Sequence, residues 1–266
     1  MTKILALTKA QWRVMMSYRL QTFFSFLGLL FTVVPLFFIS HAVQPVMANA
    51  IRSEGGNAFA FLLLGTIVIM LVTVALSVVP NALAGGIASG TLEALLATPT
   101  STPVLLTGLS AFPLLLSMLR AAVLLVSGVL LGMHIVGSAL PLAVLVLLVI
   151  VVAHVAIGLV SGAMVLMFRT AGPLSRLVLV ASTLLGGVYY PTHVIPSWLR
   201  VVSDLLPLSY GLRALRMILL EGAPFTSVTA DLSILIEGTA ILVAAGVALF
   251  GLALRHARLQ GTLAQY

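Results

Sequence analysis

The sequence predicts an all-α polytopic membrane protein with six transmembrane helices. Its composition is 61% hydrophobic and 7% charged, with a mean hydropathy of +1.25, whereas about a quarter of the residues in a soluble domain are charged. Six apolar runs are also long enough to cross a bilayer, which takes about 20 residues. We therefore expect a single membrane domain over residues 1–266. The runs are Leu20–Ile39, Phe59–Val79, Val104–Leu131, Leu140–Phe168, Leu174–Tyr190 and Leu232–Leu254.

The first 19 residues form the first predicted element, an amphipathic helix that lies in the membrane interface. On a helical wheel Lys3, Lys9 and Arg13 share one arc, opposite a mainly apolar face, and Trp12 falls at headgroup depth. The alternative is a frayed basic segment whose charges only fix the topology. No cleavage site follows, and the apolar run from Leu20 is long enough to span, so a signal peptide is not predicted.

The distribution of basic residues sets the expected topology. Six spans place both termini on one side, and cytoplasmic termini satisfy the positive-inside rule by eight basic residues to four. Only Glu93 among the six acidic residues then falls inside. The eight inner residues are Lys3, Lys9, Arg13, Arg19, Arg169, Arg176, Arg255 and Arg258, and the four outer ones are Arg52, Arg200, Arg213 and Arg216.

The connection over residues 83–103 is predicted to be a cytoplasmic loop with a short helix, because it is polar and rich in glycine between two apolar runs. Ser89 or Thr91 can cap this helix, and Pro99 stops it. A short helix with an apolar face is suited to docking into a groove of a soluble partner. The alternative is an ordinary loop that folds back on the bilayer. The residues assigned to docking are Thr91, Leu92, Glu93, Leu95 and Leu96.

Residues 189–231 are predicted to form an outer, re-entrant lid. Prolines divide this segment into two helical pieces, and neither is long enough to cross the membrane. Tyr189 and Tyr190 are the expected aromatic plug of this gate, with Pro191 and Trp198 beside them. The alternative is an interfacial aromatic belt that anchors an outer loop.

Arg120 is the one charge well inside an apolar run. A central arginine costs about 2.5 to 3.5 kcal/mol on insertion scales, so it should face protein or a cavity rather than lipid tails. It is either a contact for a polar or anionic substrate headgroup or a residue that snorkels to the inner interface. Two pairs of glycines with G-x-x-x-G spacing, Gly128 with Gly132 and Gly158 with Gly162, predict close helix contacts.

Three motifs resemble one known family over nearly the whole chain. They are GTLEALLATPTS at Gly90–Ser101, GGVYYPTHVIPSWLRVVSDLLPLSYGLRALR at Gly186–Arg216, and ARLQGTLAQY at Ala257–Tyr266. Together they are similar to the membrane subunits of type-2 ABC exporters, which include drug-efflux and polysaccharide or lipo-oligosaccharide permeases.

This resemblance implies a six-helix permease that forms a dimer, as a homodimer or with a paralogue. It also implies a coupling helix after the second span, where Glu93 touches a separate ATPase subunit present in two copies. The implied location is the cytoplasmic (inner) membrane of a bacterium or archaeon. The chain departs from the family at Ser101–Gly108, STPVLLTG, where relatives often carry a basic residue and a glutamate.

The sequence itself contains no ATPase. It has no G-x-x-x-x-G-K-[ST] motif, and its only two lysines are Lys3 and Lys9. It has no cysteine, which excludes disulfides, thiolate metal sites and a cysteine nucleophile. We therefore expect no catalytic residue, metal or cofactor on this chain, with ATP and Mg bound by the partner subunit. The basic residues flank apolar runs, which indicates lipid headgroups rather than nucleic acid as their partners.

Two other classes of function fit the sequence less well. A secondary carrier or channel, independent of ATP, would need interrupted helices in both halves and intramembrane carboxylates, and this sequence has one interrupted region near its end. An intramembrane serine enzyme would need a placed base, and the spacing around Ser89 and Ser161 does not provide one. The expected substrate is an amphipathic molecule such as a drug, a lipid or a lipid-linked glycan.

Overall fold

A computed structural model shows a helical bundle and describes residues 2–90, 101–168 and 173–259. Within these ranges the secondary structure consists of helices and turns, without strands. Short 3-10 turns occur at Arg52–Glu54, Gly137–Ala139 and Thr192–Val194. In chain order the α-helices of the described ranges are α1 (Thr2–Ser17), α2 (Arg19–Met47), α3 (Ala58–Ala88), α4 (Thr102–Leu130), α5 (Leu140–Phe168), α6 (Pro173–Leu185), α7 (Ser197–Leu205), α8 (Pro207–Glu221) and α9 (Phe225–Leu259).

Five helices of the described residues are long and apolar enough to cross a membrane: α2, α3, α4, α5 and α9. The fifth predicted span, Leu174–Tyr190, is helical only over α6, whose 13 residues measure about 20 Å. That is shorter than the hydrocarbon core of about 30 Å. The helix ends where Gly187 takes a left-handed conformation (φ +78°) that most side chains disfavour. The described residues therefore do not provide six full spans.

Two predicted boundaries were wrong. Helix α3 continues through the glycine-rich stretch to Ala88, because isolated glycines weaken a helix by about 1 kcal/mol each without stopping it. Ser89 follows the end of this helix: its hydroxyl donates to the Gly85 carbonyl at 2.8 Å, and Gly90 comes next with φ +65°. The last helix begins at Phe225 rather than Leu232, three residues after the left-handed Gly222.

Helix α5 lies in the centre of the bundle, packed between α3 and α9. Gly158 faces α3, where a Cβ atom would lie 2.9 Å from the Ala75 carbonyl oxygen. On the other side Gly246 of α9 leaves room for the Ala156 carbonyl oxygen, which a Cβ would approach to 2.7 Å. The absence of side chains at these glycines thus lets the three backbones approach closely.

The two glycine pairs have different roles. Gly158 and Gly162 both pack against α3, as predicted, and a Cβ at Gly162 would lie 2.9 Å from a Val79 methyl group. Gly128 packs against the Leu63 side chain. Gly132, however, follows the end of α4 with φ +93°, and a Cβ built there would meet no atom within 4 Å, so its role is to end the helix. The G-x-x-x-G interpretation of Gly128 and Gly132 was therefore wrong.

The amphipathic α1 packs along the first half of α4. The Gln11 amide donates to the Leu109 carbonyl at 3.4 Å, and the Trp12 ring meets the Phe112 ring edge-on with centroids 6.3 Å apart. Only Tyr18 separates α1 from α2. The helix is therefore confirmed, and its position in the membrane interface stays a prediction.

The bundle has two ends, which we name by their contents. The α1 end holds α1, the last turn of α3 and the first turn of α4. The Glu54 end holds the loop over residues 48–57 and the segment 186–224. At this second end the Val136 amide donates to the Leu219 carbonyl at 2.9 Å, which ties the connection between α4 and α5 to α8.

Candidate functional site

The residues predicted to dock a soluble partner, Thr91, Leu92, Glu93, Leu95 and Leu96, lie outside the described residues. In the chain they fall between Gly90, which follows α3, and Ser101, which precedes α4. Because α3 runs to Ala88, the connection that carries them is shorter than the predicted 83–103 loop.

Arg120 lies on α4 and binds α2. Its Nη2 donates to the Ser25 hydroxyl at 2.9 Å, and its guanidinium carbon is 6.0 Å from the centre of the Phe26 ring. The Nε atom of Arg120 is buried and has no hydrogen-bond partner in the structure. Arg120 therefore faces protein rather than lipid tails, and its role toward a substrate stays a prediction.

The predicted gate residues lie at the Glu54 end on the surface of the described chain. Tyr189 is 44% exposed and Trp198 is 74% exposed, whereas Pro191 is buried. The Tyr190 hydroxyl donates to the Leu184 carbonyl at the end of α6. A lid at this place therefore needs a second surface against which the two exposed aromatic rings can close.

A fully buried arginine, Arg216 of α8, organises the Glu54 end. Its Nη1 donates to the Glu54 carboxylate at 2.9 Å and to the Gly187 carbonyl at 2.8 Å. Its Nη2 donates to the carbonyls of Phe61 and Val188 at 2.9 and 3.0 Å. The guanidinium also stacks on the Phe61 ring, 3.3 Å from the centroid. One side chain therefore holds together α3, α8, the 48–57 loop and the segment after α6.

The charge of Arg216 is retained despite its burial. Removal from water lowers the pKa of Arg216 to about 10, while the nearby Glu54 carboxylate raises it. The guanidinium is thus protonated at neutral pH and can form the ion pair. Arginine suits this position because its planar fork presents several donors in fixed directions.

Two further polar contacts join elements at the same end. Arg213 forms an ion pair with Asp231 of α9, with Nε 2.8 Å from the carboxylate, and this hydrogen bond raises the pKa of Arg213. The Glu221 carboxylate accepts a hydrogen bond from the Gly55 amide at 3.0 Å. Several charges that the topology prediction places outside therefore form bonds within this end of the bundle.

A polar stripe runs along one face of α3, and we define it as Thr66, Thr73, Ser77 and Asn81. The spacings of seven, four and four residues place all four on one helical face, which is exposed or half-buried although most of α3 is buried. The three hydroxyls donate to carbonyls of their own helix, as for Thr73 to Ile69 at 2.7 Å. These hydroxyls keep acceptor capacity for another molecule.

The part of the polar stripe nearer the α1 end borders a cavity of about 200 Å³ between α3 and α6. Ser175 and Arg176 of α6 line it together with Thr73, Ser77 and Asn81. The Ser175 hydroxyl donates to the Leu76 carbonyl at 3.0 Å and lies within hydrogen-bond distance of the Ser161 hydroxyl, at 2.8 Å. This wall offers hydroxyls, one amide and one cation within an otherwise apolar bundle.

The polar stripe and the cavity beside it present hydroxyl, amide and guanidinium groups that can hydrogen-bond a molecule with polar groups. Among the described residues no cluster of His, Asp or Glu is placed to hold a metal ion. His154 is fully buried, with its Nδ1 bonded to the Ile150 carbonyl at 2.7 Å.

The sequence analysis missed both the buried arginine and the polar stripe. The stripe had a signal, since four polar residues recur at helical spacing within the second apolar run. Arg216 had none, because its partner Glu54 is 162 positions away in the chain and only the fold brings them together.

The family model for the ABC-2 type transporter matches residues 2–220. The chain belongs to this family. It is thus a permease subunit of an ABC transporter, a multi-pass membrane protein whose domain carries transport and is generally not catalytic itself. Permeases of this family typically work with an ATPase subunit. A comparison with curated proteins found no match.

For this ABC-2 permease the match covers α1 to α8, so it includes the polar stripe, Arg120, the predicted gate residues and Arg216. The resemblance drawn from the three sequence motifs is therefore confirmed at the level of the family.

Proposed function

We propose that this permease moves an amphipathic substrate outward across a cytoplasmic membrane, powered by a separate ATPase subunit present in two copies. The observation that carries the proposal is the polar stripe of α3. Hydroxyl and amide groups in a spanning helix are costly against lipid and are found where they face protein or a water-filled cavity. We assign the stripe, with Ser175 and Arg176, to the wall of the substrate path.

A path needs a second wall, and we propose that a second permease copy provides it, in a homodimer or with a paralogue. Symmetric pairs are the commonest form of oligomer and present the same surface from both subunits. Two facing stripes would form a polar route through the membrane, and the exposed Tyr189 and Trp198 would close its outer end. An amphipathic drug, lipid or lipid-linked glycan fits a wall in which a few polar groups interrupt an apolar surface.

Coupling is proposed to enter at the α1 end, which we place in the cytoplasm. The short connection with Glu93 and the apolar Leu92, Leu95 and Leu96 would dock on the ATPase, which binds ATP and Mg. Because α3 continues directly toward this connection, a shift of the docked segment would move the helix that carries the polar stripe. The chain itself would bind no cofactor or metal.

The experiment measures transport by the permease and its ATPase in proteoliposomes, with a fluorescent amphiphilic drug and a fluorescent lipid as probes. Thr73→Val and Asn81→Leu keep side-chain size while removing polarity, and both should reduce transport several-fold because the path loses contacts with the substrate. Thr229→Val is the matched control, since Thr229 is an exposed threonine of α9 whose hydroxyl also bonds its own helix.

The same vesicles separate the proposal from the alternative of a secondary carrier or channel. Omission of the ATPase subunit should abolish uphill movement of both probes. Uphill transport by the permease alone would refute ATP-driven export. Equal transport by Thr73→Val, Asn81→Leu and Thr229→Val would instead remove the polar stripe from the path.

A further inference from the structure

We propose that the permease binds the acyl chain of a membrane phospholipid in a cavity that is separate from the polar stripe. The cavity has a volume of about 490 Å³ and lies in the half of the bundle nearer the α1 end. Its walls come from the membrane-spanning helices α3, α4, α5 and α9, with Val79, Leu106, Val155 and Phe250 among the lining residues.

The cavity lies on the opposite side of α3 from the polar stripe. Val79 lines the cavity, and at 3.6 residues per turn it falls nearly opposite Ser77 and Asn81. Helices α4 and α9 flank the opening, and among the described residues they do not pack along each other. An occupant can therefore reach the cavity sideways from the bilayer, between these two helices.

The chemistry of the walls selects an aliphatic occupant. The lining contains no charged residue, and its polar groups are the hydroxyls of Thr102, Thr107 and Ser110 on α4. The Thr107 hydroxyl is already bonded to the Pro103 carbonyl at 2.8 Å. Apolar cavities do not hold water, and an empty one forfeits the dispersion contacts of its lining. In a bilayer the available molecule that fills such a space is a lipid tail.

The charge at the rim selects the lipid class. Arg255 is exposed and follows the lining residue Gly251 by four positions on α9, so it stands one helical turn farther toward the α1 end. An arginine at the edge of a pocket between spanning helices suits the phosphate of an anionic headgroup. The proposed ligand is therefore an anionic phospholipid, with a tail in the cavity and its phosphate near Arg255.

The test uses the permease without its ATPase in nanodiscs that contain phosphatidylglycerol with a photoreactive diazirine on one acyl chain. After illumination, mass spectrometry should find the adducts on peptides that line the cavity. Gly251→Phe should abolish this labelling, since no atom lies within 4 Å of a Cβ at Gly251 and the ring can fill the space. Gly238→Phe is the matched control on the same helix, also with open space around its Cβ, and should label like the wild type.

A second variant that fills the cavity controls for the possibility that Gly251→Phe misfolds. Ala111→Phe enters the same cavity from α4 and should give the same loss, with elution on size exclusion unchanged. Arg255→Gln should keep the labelling but reduce the preference for phosphatidylglycerol over phosphatidylcholine about five-fold, the effect of one arginine at an anionic surface. Arg19→Gln, an exposed arginine of α2, should leave that preference unchanged.

Adducts spread evenly around the bundle, or labelling that survives in both filling variants, would overturn the site. Displacement of the probe by an equal amount of palmitic acid would identify a free amphiphile as the occupant and overturn the phospholipid assignment. Transport is not measured in this experiment, so its outcome is independent of the proposed export function.

Discussion

At the scale of single residues, two arginines in apolar surroundings have very different settings. Arg216 binds a carboxylate and three carbonyls from other parts of the chain through Nη1 and Nη2, and its buried Nε has no partner. Arg120 has one hydroxyl partner and a buried Nε without one. A buried charge is tolerated when it is paired and hydrogen-bonded. Arg216 thus joins several parts of the structure and is paired with a carboxylate, whereas Arg120 has a single hydroxyl partner and no counter-ion among the described residues.

Arg216→Met is expected to destabilise the permease by about 3 to 5 kcal/mol, the usual cost of breaking a buried pair and leaving one charge alone. Chemical denaturation in detergent micelles measures this loss. Because the Glu54 carboxylate is then the uncompensated group, the double variant Glu54→Leu with Arg216→Met should recover part of the stability. Arg52→Gln, at an exposed position of the same end, should change the free energy of unfolding little. A loss equal to that of Arg216→Met would contradict the stabilising role of the Glu54–Arg216 ion pair.

The sequence predicted that Arg120 would face protein, because insertion cost alone excludes a lipid-facing arginine. It placed Arg216 outside among ordinary topology charges, since charge counting does not show which residues are brought together by folding. The environment of a charge within an apolar run can be predicted from the neighbouring sequence alone. A pair such as Glu54 and Arg216, 162 positions apart, requires the tertiary structure.

At the scale of elements, α3 uses three faces in different ways. One face, with Ala75 and Val79, packs against the glycines of α5, the polar stripe is exposed or half-buried, and Gly65 meets the segment after α6. A Cβ at Gly65 would lie only 2.2 Å from the Val188 carbonyl oxygen and 3.0 Å from Arg216 Nη2. Helix α3 therefore carries the polar stripe and also contacts the segment after α6 whose carbonyls bind Arg216.

Gly65→Ala is expected to push the Val188 carbonyl away from α3 and weaken its bond to Arg216, with a fall in thermal stability. The obstacle is backbone, which cannot rotate aside as a side chain can. Gly85→Ala in the same helix meets no atom within 4 Å and should be neutral or stabilising by up to about 1 kcal/mol. The measurement is the thermal unfolding midpoint of each variant. Equal midpoints for Gly65→Ala and Gly85→Ala would contradict the close contact between Gly65 and the Val188 carbonyl.

The docking loop gives a second prediction at this scale. Glu93→Ala or Leu95→Asp is expected to reduce substrate-stimulated ATP hydrolysis by the complex, because each removes a proposed contact with the ATPase. Expression and membrane insertion of the permease should be unchanged. The comparison variant is Thr229→Val, far from the loop in sequence. Normal stimulation in both loop variants would refute the docking role.

Long apolar helices could be predicted from the sequence, and their ends could not. Runs of about 20 apolar residues located α2, α3, α4, α5 and α9. The end of α6 at Leu185 depends on a left-handed glycine and on carbonyls that Arg216 holds, neither of which hydropathy reports. The predicted α3 is too short because a glycine-rich stretch is typical of a loop, whereas here the helix continues through it to Ala88.

At the scale of the whole molecule, the exposed polar stripe and the exposed aromatic rings are surfaces that a single copy leaves open. The proposed dimer would cover both, while the apolar cavity on the other side of α3 would stay turned toward lipid. Such a division assigns one side of the bundle to the substrate and the other to the bilayer.

Because the chain has no cysteine, a single introduced thiol reports the dimer directly. Thr73→Cys is expected to give a cross-linked pair with a short bis-maleimide in native membranes, since two stripes would face each other across the path. Thr229→Cys, on α9, should stay monomeric on a denaturing gel. Equal cross-linking at both positions would indicate random collision and contradict the arrangement.

The tie between Glu54 and Arg216 also has a consequence for biosynthesis. The ribosome synthesises Glu54, between α2 and α3, long before it reaches α8. During that time the Glu54 carboxylate has no counter-ion from Arg216. Chains that terminate before position 216 never acquire the arginine that pairs with Glu54. We therefore expect such truncated chains to be less stable than the completed polypeptide, in which Arg216 pairs with Glu54.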